Sequence, residues 1–441
     1  MGSTSVIDAT SIDRRGHGPS LSAGLPGLKA LEGGRVAVGL TAIAVAMLPA
    51  IVPRGPANVG PVDLLLALAL VGCLVWGATT GHRWRLPYVI PIGLMLAGGA
   101  LGALAGPVPE TGIVTIIQEL SLVAWGWALV NIGSSPGRLT ILLRTWAYSS
   151  IAWVLVLFAA LFTGTTALTG QTASEGSRTA LTFADPNVAA NYFFVSMMII
   201  WSTQCPQRRA GRFAAYVLLV AAILSTGSNS GIVSLAVGAA AAALVGVYRR
   251  LGPVPALTAL AFVLLAGFVA TSTVSVSDIQ SRAHESRYAF VRDGIGRGAS
   301  SVEHRDKLLQ ESLSLYETGG LLGQGPASTK PRLEREMAPL VKEAHNDYFA
   351  ALTERGILGL LGLLLLILGL IVRTASLMTP SSVRRLVEVL PRPNALVGAI
   401  VGTMAAMTVY ELLHVRHVWT LFAFVAALHL WSREWHRSAG S

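Results

Sequence analysis

The stretch DYFAALTERGILGLLGLLLLILGLIV occupies residues 347–372, and its last 17 residues, from Gly356 onward, contain no charged side chain. A helix needs about 20 predominantly apolar residues to cross the hydrocarbon core of a bilayer. The stretch meets that requirement in both length and composition. It therefore predicts a membrane-spanning helix, and it decides the fold class if the rest of the chain repeats the pattern.

The composition of the whole chain repeats the same signal. Of its 441 residues, 53% are hydrophobic and only 13% are charged, and the mean hydropathy is +0.60. A soluble globular protein has about 25% charged residues. This chain has too few charges to solvate the surface of a large water-soluble protein, so the composition predicts an integral membrane protein.

The net charge of +10 would indicate nucleic-acid binding if the chain were soluble. Here most basic residues lie in short loops between apolar runs, where Lys and Arg indicate membrane topology. We therefore expect no nucleic-acid partner. The only two cysteines, Cys73 and Cys205, exclude a disulfide framework and a cysteine-rich zinc module.

Further apolar runs predict an all-α, polytopic membrane protein with about 12 transmembrane helices and one large extracytoplasmic loop. The predicted spans are 36–53, 61–79, 88–106, 113–132, 145–164, 187–204, 213–226, 229–247, 254–271, 347–372, 395–413 and 417–432. The corresponding organisation is a cytoplasmic N-terminal tail (1–35), spans one to nine (36–271), the extracytoplasmic loop (272–346), spans ten to twelve (347–432) and a cytoplasmic tail (433–441).

The distribution of basic residues predicts the orientation of these spans. With the N-terminus inside, the inner segments carry 19 Lys and Arg residues, whereas the short outer loops carry only Arg54, Arg178 and Arg416. This asymmetry follows the positive-inside rule. It predicts a multi-pass protein of the cytoplasmic membrane with both termini in the cytoplasm. The 75 residues of the outer loop contain ten basic and ten acidic residues, a balance that suggests a folded cap on the membrane.

The residues before the tenth span form the first candidate site. Asn346 or Asp347 can cap the helix, whose free N–H groups would face the outer side and favour an anion. Ordinary capping explains both residues without any chemistry. It does not explain His345, which can accept a proton near neutral pH.

Two outer arginines each allow a functional and a structural interpretation. Arg305 shares the apolar stripe of a predicted helix in the outer loop, so its guanidinium either meets a partner or anionic ligand or snorkels at the edge of the stripe. Arg178 is the only base in the outer loop before the sixth span, and it could simply pair with Glu175 or Asp185.

Other features narrow the chemistry. Glu119 lies inside the fourth span, where a carboxylate is either functional or a structural hydrogen-bond partner. The sequence contains no P-loop, no His-Glu-x-x-His motif and no Asp-x-Asp pair. These absences argue against a soluble nucleotide donor, and we expect no metal and no cofactor.

Taken in order, the motifs over residues 175–430 resemble the O-antigen ligase and polymerase superfamily. One departure is Asn229, where many members carry arginine. The motifs are Arg178 with the sequence FADPN at 183–187, STGSNSG at 225–231, Arg305 in the outer loop, LGQGP at 322–326, AHNDY at 344–348 and ERGILG at 354–359.

The resemblance implies a metal-independent, inverting glycosyltransferase at the outer face of the membrane. Its partners would be a polyprenyl-diphosphate-linked glycan donor, a saccharide or lipid-glycan acceptor, and membrane lipid. His345 would be the general base or would orient the acceptor, and Arg178 and Arg305 would bind the donor diphosphate. The supporting residues would be Asn346, Asp347, Glu354, Asn187 and Glu119.

Several alternatives stay open at this stage. Within the same superfamily, the protein could polymerise repeat units or glycosylate proteins as an O-oligosaccharyltransferase. A transporter or flippase of the same lipid-linked sugar is a different class, but transporters often contain inverted repeats, and the sequence shows no internal symmetry. A lipid-sugar transferase with a carboxylate base would instead use Asp63 or Glu110 and leave His345 without a role.

Overall fold

The computed structural model describes residues 25–53, 55, 59–172, 176–273, 276–287, 292, 320–335 and 345–438. Within these ranges the chain forms α-helices and short 3-10 turns and contains no β-strand, so the predicted all-α class is confirmed. Arg305 and the helix predicted around it lie outside the described residues. Arg54 and Glu175 do as well.

Every predicted span overlaps one helix of the structure. The helices are α1 (Leu25–Ala46), α2 (Pro61–Thr80), α3 (Val89–Ala105), α4 (Pro109–Ile132), α5 (Pro136–Thr163), α6 (Thr166–Thr169), α7 (Pro186–Thr203), α8 (Arg209–Ser225), α9 (Asn229–Leu251), α10 (Pro253–Thr273), α11 (Val276–His284), α12 (Thr329–Arg335), α13 (Asp347–Ser376), α14 (Pro380–Leu386), α15 (Asn394–Met407) and α16 (Arg416–Ser438).

Among the described residues, five helices are long and apolar enough to cross a membrane, namely α2, α4, α5, α9 and α13. Shorter apolar helical stretches are Gly34–Ala46, Val89–Ala105, Pro253–Val269 and Asn394–Met407. These helices fit a multi-pass membrane protein. The count of twelve spans and the extent of the outer loop stay predictions.

Two helices end earlier than the apolar runs that predicted them. Helix α1 ends at Ala46 and not at residue 53, because Pro49 and Pro53 interrupt the run and lack the N–H that a helix needs. Helix α15 ends at Met407 and not at residue 413. No proline or glycine ends α15, and the cause is a set of tertiary hydrogen bonds described below.

The core of the bundle is built around α7, in which 16 of 18 residues are buried. This helix packs against α5, α8, α9 and α15. The indole N–H of Trp146 on α5 donates to Ser196 Oγ on α7 at 2.8 Å. Because α7 is enclosed on all sides, the loops at its amino-terminal end are held in fixed positions.

Helix α13, which contains the apolar stretch quoted first, is not continuous. In α13, Gly356 has φ 64° and ψ −166°, which breaks the helix between Arg355 and Ile357. A side chain at Gly356 would collide with the carbonyl oxygen of Leu321, which belongs to a loop that passes across the break. The sequence predicted the span and missed the break, which requires glycine on both grounds.

Candidate active site

Asp185 connects two segments at one end of the bundle. As the N-cap of α7, its Oδ1 accepts hydrogen bonds from Asn187 N at 2.7 Å and Val188 N at 3.1 Å. Pro186 follows at the first helical position, where its missing N–H costs nothing. The second carboxylate oxygen accepts a hydrogen bond from the hydroxyl of Tyr410. One side chain therefore fixes both the start of α7 and the position of Tyr410.

His345 is held by two consecutive residues of the segment between α15 and α16. Its backbone N–H donates to Glu411 Oε1 at 3.0 Å. Its ring stacks on the ring of Tyr410, with centroids 5.3 Å apart and planes 25° from parallel. His345 also adopts φ 49°, a left-handed conformation that is uncommon for a residue other than glycine. The residue is half-buried, and the stacking on Tyr410 fixes the direction of the imidazole.

Asn346 and Asp347 have different tasks. Asn346 caps α13, because its Oδ1 accepts hydrogen bonds from Tyr348 N at 2.9 Å and Phe349 N at 3.2 Å. Its Nδ2 donates to the carbonyl of Thr408 at 2.8 Å. The buried carboxylate of Asp347 does not cap the helix. It faces the segment after α15 instead.

Asp347 explains why α15 ends early. Its carboxylate accepts a hydrogen bond from Leu412 N at 2.7 Å and another from Leu413 N at 3.1 Å. A backbone N–H that donates to Asp347 is not available to continue the helix. The segment 408–415 therefore folds over the start of α13, and this fold brings Tyr410 and Glu411 to His345.

Arg178 is buried, with 6% of its surface exposed. Its Nε donates to the carbonyl of Thr226 at 2.8 Å, and its Nη2 lies 3.5 Å from Asn187 Oδ1. The same Asn187 oxygen accepts a hydrogen bond from Ser228 Oγ at 2.7 Å. Ser228 is the N-cap of α9, which begins at Asn229. The structure therefore joins Arg178, Asn187 and the Thr-Gly-Ser motif in one cluster.

Glu354 fixes the loop that crosses the break in α13. Its Oε2 accepts a hydrogen bond from Ala327 N at 2.9 Å, and its Oε1 accepts one from Thr329 Oγ1 at 2.8 Å. In addition, Gln324 N donates to Thr353 O at 2.9 Å, and Gly325 N donates to Glu354 O at 2.8 Å. Two of the motifs quoted above, LGQGP and ERGILG, are thus hydrogen-bonded to each other.

Glu119 forms an ion pair with Arg355. Arg355 Nη1 donates to Glu119 Oε2 at 2.7 Å, and its Nη2 contacts the other carboxylate oxygen. Only 11% of the Arg355 side chain and 13% of the Glu119 side chain are exposed. The sequence allowed either a functional or a structural role for Glu119. This geometry favours the structural role, as a hydrogen-bond partner of Arg355. Arg355 entered the sequence analysis only as part of the ERGILG motif, with no role assigned to it.

Asp63, the alternative base, also faces an arginine. Arg416 Nε donates to Asp63 Oδ1 at 2.7 Å, and Arg416 Nη2 donates to Asp63 Oδ2 at 2.5 Å. Asp63 additionally accepts a hydrogen bond from Gly60 N at 2.7 Å. The pair joins the starts of α2 and α16. Glu110, the other alternative, is exposed in the first turn of α4.

A continuous path of contacts therefore links the two predicted centres. It runs from His345 through Tyr410 and Asp185, and then through Asn187 to Arg178. The sequence analysis did not identify Tyr410 as a site residue, because it falls inside the predicted span 395–413. The pair Tyr410-Glu411 could have indicated the site, since it places a hydroxyl and a carboxylate within an otherwise apolar run.

Residues 214–364 match the family model described as O-antigen ligase. This match confirms the resemblance to the O-antigen ligase superfamily. The matched range contains Ser228, His345 and Glu354 but neither Arg178 nor Tyr410. No curated protein matches the chain.

Proposed function

From the premise that residues 214–364 form a domain of the O-antigen ligase superfamily, we propose a specific transfer reaction. The protein is an O-antigen ligase- or polymerase-like membrane glycosyltransferase. In our proposal it transfers a glycan from a polyprenyl-diphosphate-linked donor to a saccharide or lipid-glycan acceptor on the outer face of the cytoplasmic membrane. The observation that supports this best is the path of contacts from His345 to Arg178, which joins a proton acceptor to a cation.

The proposed reaction is a single displacement. The acceptor hydroxyl attacks the anomeric carbon of the donor, the bond from that carbon to the diphosphate oxygen breaks, and the configuration inverts. The hydroxyl proton passes to the imidazole of His345. The leaving group is the polyprenyl diphosphate, which takes the electron pair of the broken bond. A neutral imidazole suits this step because its ordinary pKa lies near neutrality.

The departing diphosphate needs positive charge, and we assign Arg178 and Arg305 to it. Guanidinium groups bind phosphate oxygens in a fixed fork and stay protonated. Arg178 is oriented before substrate binds, because Thr226 O holds its Nε and Asn187 lies beside its Nη2. Such preorganisation is the usual source of electrostatic catalysis. We propose that these arginines replace a metal ion.

The remaining predicted residues support this arrangement. Asn346 caps α13 directly after His345, and Asp347 holds the segment 408–415 over the start of the same helix. Glu354 holds the loop over the break in α13, and Glu119 neutralises Arg355. Asn187 lies between Arg178 and Ser228. Each of these residues would hold neighbouring groups of the site in place, whereas His345 and the two arginines would contact the substrate.

The proposal is tested with purified protein in nanodiscs, a lipid-linked glycan donor and a glycan acceptor. We expect transfer that continues in the presence of a chelator and that falls by about 10²–10⁴-fold in His345→Ala, the range for a positioned general base. His284→Ala, at an exposed position of α11, is the matched control. Full activity of His345→Ala would refute the assigned role, and absence of transfer by the wild type would favour the transporter.

The ligase and the polymerase differ in the glycan that accumulates on lipid when the protein is absent from cells. Accumulation of full-length chains would support a ligase, which attaches a finished glycan. Accumulation of single repeat units would support the polymerase. Loss of glycan from proteins alone would support the O-oligosaccharyltransferase.

A further inference from the structure

A polar cavity lies at the opposite end of the bundle from His345. It has a volume of about 320 Å³ and is bounded by the start of α5, the turn between α7 and α8, and the segment after α14. Among its lining residues are Arg144, Gln204, Arg212 and Glu388. Helix α7 has 18 residues, so about 27 Å separates this end from Asp185 at the other.

The wall of the cavity carries a fixed positive charge. Arg212 Nη1 donates to the carbonyl oxygens of Gln204 at 3.1 Å, Pro206 at 2.9 Å and Gln207 at 2.7 Å. The turn between α7 and α8 is thus wrapped around one guanidinium nitrogen. Carbonyl oxygens orient the guanidinium but do not neutralise it, so its charge remains available to an anion.

Two opposite charges lie in the same cavity without engaging each other. Within the part of the chain that the structure describes, the side chains of Arg144 and Glu388 make no hydrogen bond or ion pair, and both are exposed. An arginine and a carboxylate that line one cavity but stay separate can bind the two ends of a zwitterion. Glu388 disfavours a ligand that is purely anionic, since like charges repel.

Exposed apolar side chains flank two of the arginines that line the cavity. On α5, Ile141 and Tyr148 lie three residues before and four residues after Arg144, hence on its face of the helix, and they are 49% and 50% exposed. On α8, Phe213 follows Arg212 and is 70% exposed. Apolar side chains on helices of a membrane protein contact lipid chains. A ligand that reached these side chains from the cavity would meet them with an apolar part.

We propose that this cavity binds the headgroup of a zwitterionic phospholipid of the phosphatidylethanolamine type. The phosphate contacts Arg144 and Arg212, because guanidinium groups are strong phosphate ligands. The ammonium contacts Glu388, and the acyl chains lie along the face of α5 that carries Tyr148. Basic pockets between transmembrane helices are known to hold lipid headgroups. This site is independent of the glycosyl-transfer site.

The test is native mass spectrometry of the purified full-length protein with dioleoylphosphatidylethanolamine, dioleoylphosphatidylglycerol or free phosphoethanolamine added. We expect the first lipid to bind most tightly, and we expect Arg144→Ala to weaken it about tenfold, as for the loss of a hydrogen bond between charged groups. The matched control is Arg209→Ala, an exposed arginine one turn before Arg212 that does not line the cavity. It should bind as the wild type does.

Glu388→Gln tests the zwitterion directly. This variant should bind both lipids with similar affinity, because only the contact to the ammonium is lost. The proposal would be overturned by unchanged lipid binding in Arg144→Ala, by an equal loss in Arg209→Ala, or by tighter binding of phosphatidylglycerol to the wild type. Free phosphoethanolamine that binds as tightly as the lipid would refute the lipid as ligand.

Discussion

The ring of Tyr410 stacks on the ring of His345 while its hydroxyl donates to the carboxylate of Asp185. Three segments that are distant in sequence meet at this one side chain. Asp185 also caps α7, in which 16 of 18 residues are buried. The direction of the His345 imidazole is therefore coupled, through Tyr410, to the rigid core.

This coupling predicts that Tyr410→Phe retains the stacking but reduces transfer about tenfold, since a hydrogen bond to a charged group is lost and the ring is less fixed. Tyr410→Ala removes the stacking too and should be more impaired. The measurement is kcat in the nanodisc assay, with Tyr348→Phe as the control, because that hydroxyl donates to Met404 O at 3.3 Å and does not hold His345. Wild-type kcat in Tyr410→Phe would show that the hydroxyl has no positioning role.

Arg178→Lys should lower kcat by about 10²–10³-fold, the usual effect of removing one preorganised donor to a developing negative charge. A lysine keeps the charge but cannot contact Thr226 O and a phosphate oxygen through one planar fork. Arg305→Lys should lower kcat to a similar extent. Arg209→Lys, at the other end of the bundle, controls for the loss of any arginine. If both outer variants transferred glycan normally, the diphosphate assignment would be wrong.

The pair of Asp63 and Arg416 joins α2 to α16, and its partial burial, with 23% of the Asp63 side chain and 16% of the Arg416 side chain exposed, predicts a stabilising role. Asp63→Asn should lower the thermal unfolding temperature and leave kcat of the folded protein intact. A double-mutant cycle with Arg416→Gln should give a coupling free energy of about 1 kcal/mol. Exposed Glu110→Gln should change neither quantity. A folded Asp63→Asn protein without activity would revive the carboxylate-base alternative.

Gly356→Ala should destabilise the protein by about 1–3 kcal/mol, because alanine does not readily adopt this backbone conformation. Its side chain would also collide with Leu321 O. Gly369→Ala in the same helix is the matched control, since a Cβ there would lie 3.5 Å from the Tyr88 ring, an ordinary contact. Thermal unfolding of both variants decides the point. Equal unfolding temperatures of the two variants would mean that the break in α13 does not require glycine at position 356.

Local features of the sequence were sufficient for much of the fold. Apolar length predicted the helices, and the short polar side chains of Asn346 and Asp347 predicted a cap, because both features depend on a few neighbouring residues. The end of α15 at Met407 depends on Asp347, which lies 65 residues before its hydrogen-bond partner Leu412, and so no local pattern contains it. The pairing of Glu119 with Arg355 is equally non-local.

The orientation of the chain is a prediction from charge alone, and cysteine labelling tests it. Cys73 and Cys205 are buried, so they should give little background with a membrane-impermeant thiol reagent. Lys330→Cys, at an exposed position of α12, should react in intact cells, and Arg437→Cys should react only after permeabilisation. The opposite pattern would place His345 in the cytoplasm and would rule out glycan transfer at the outer face.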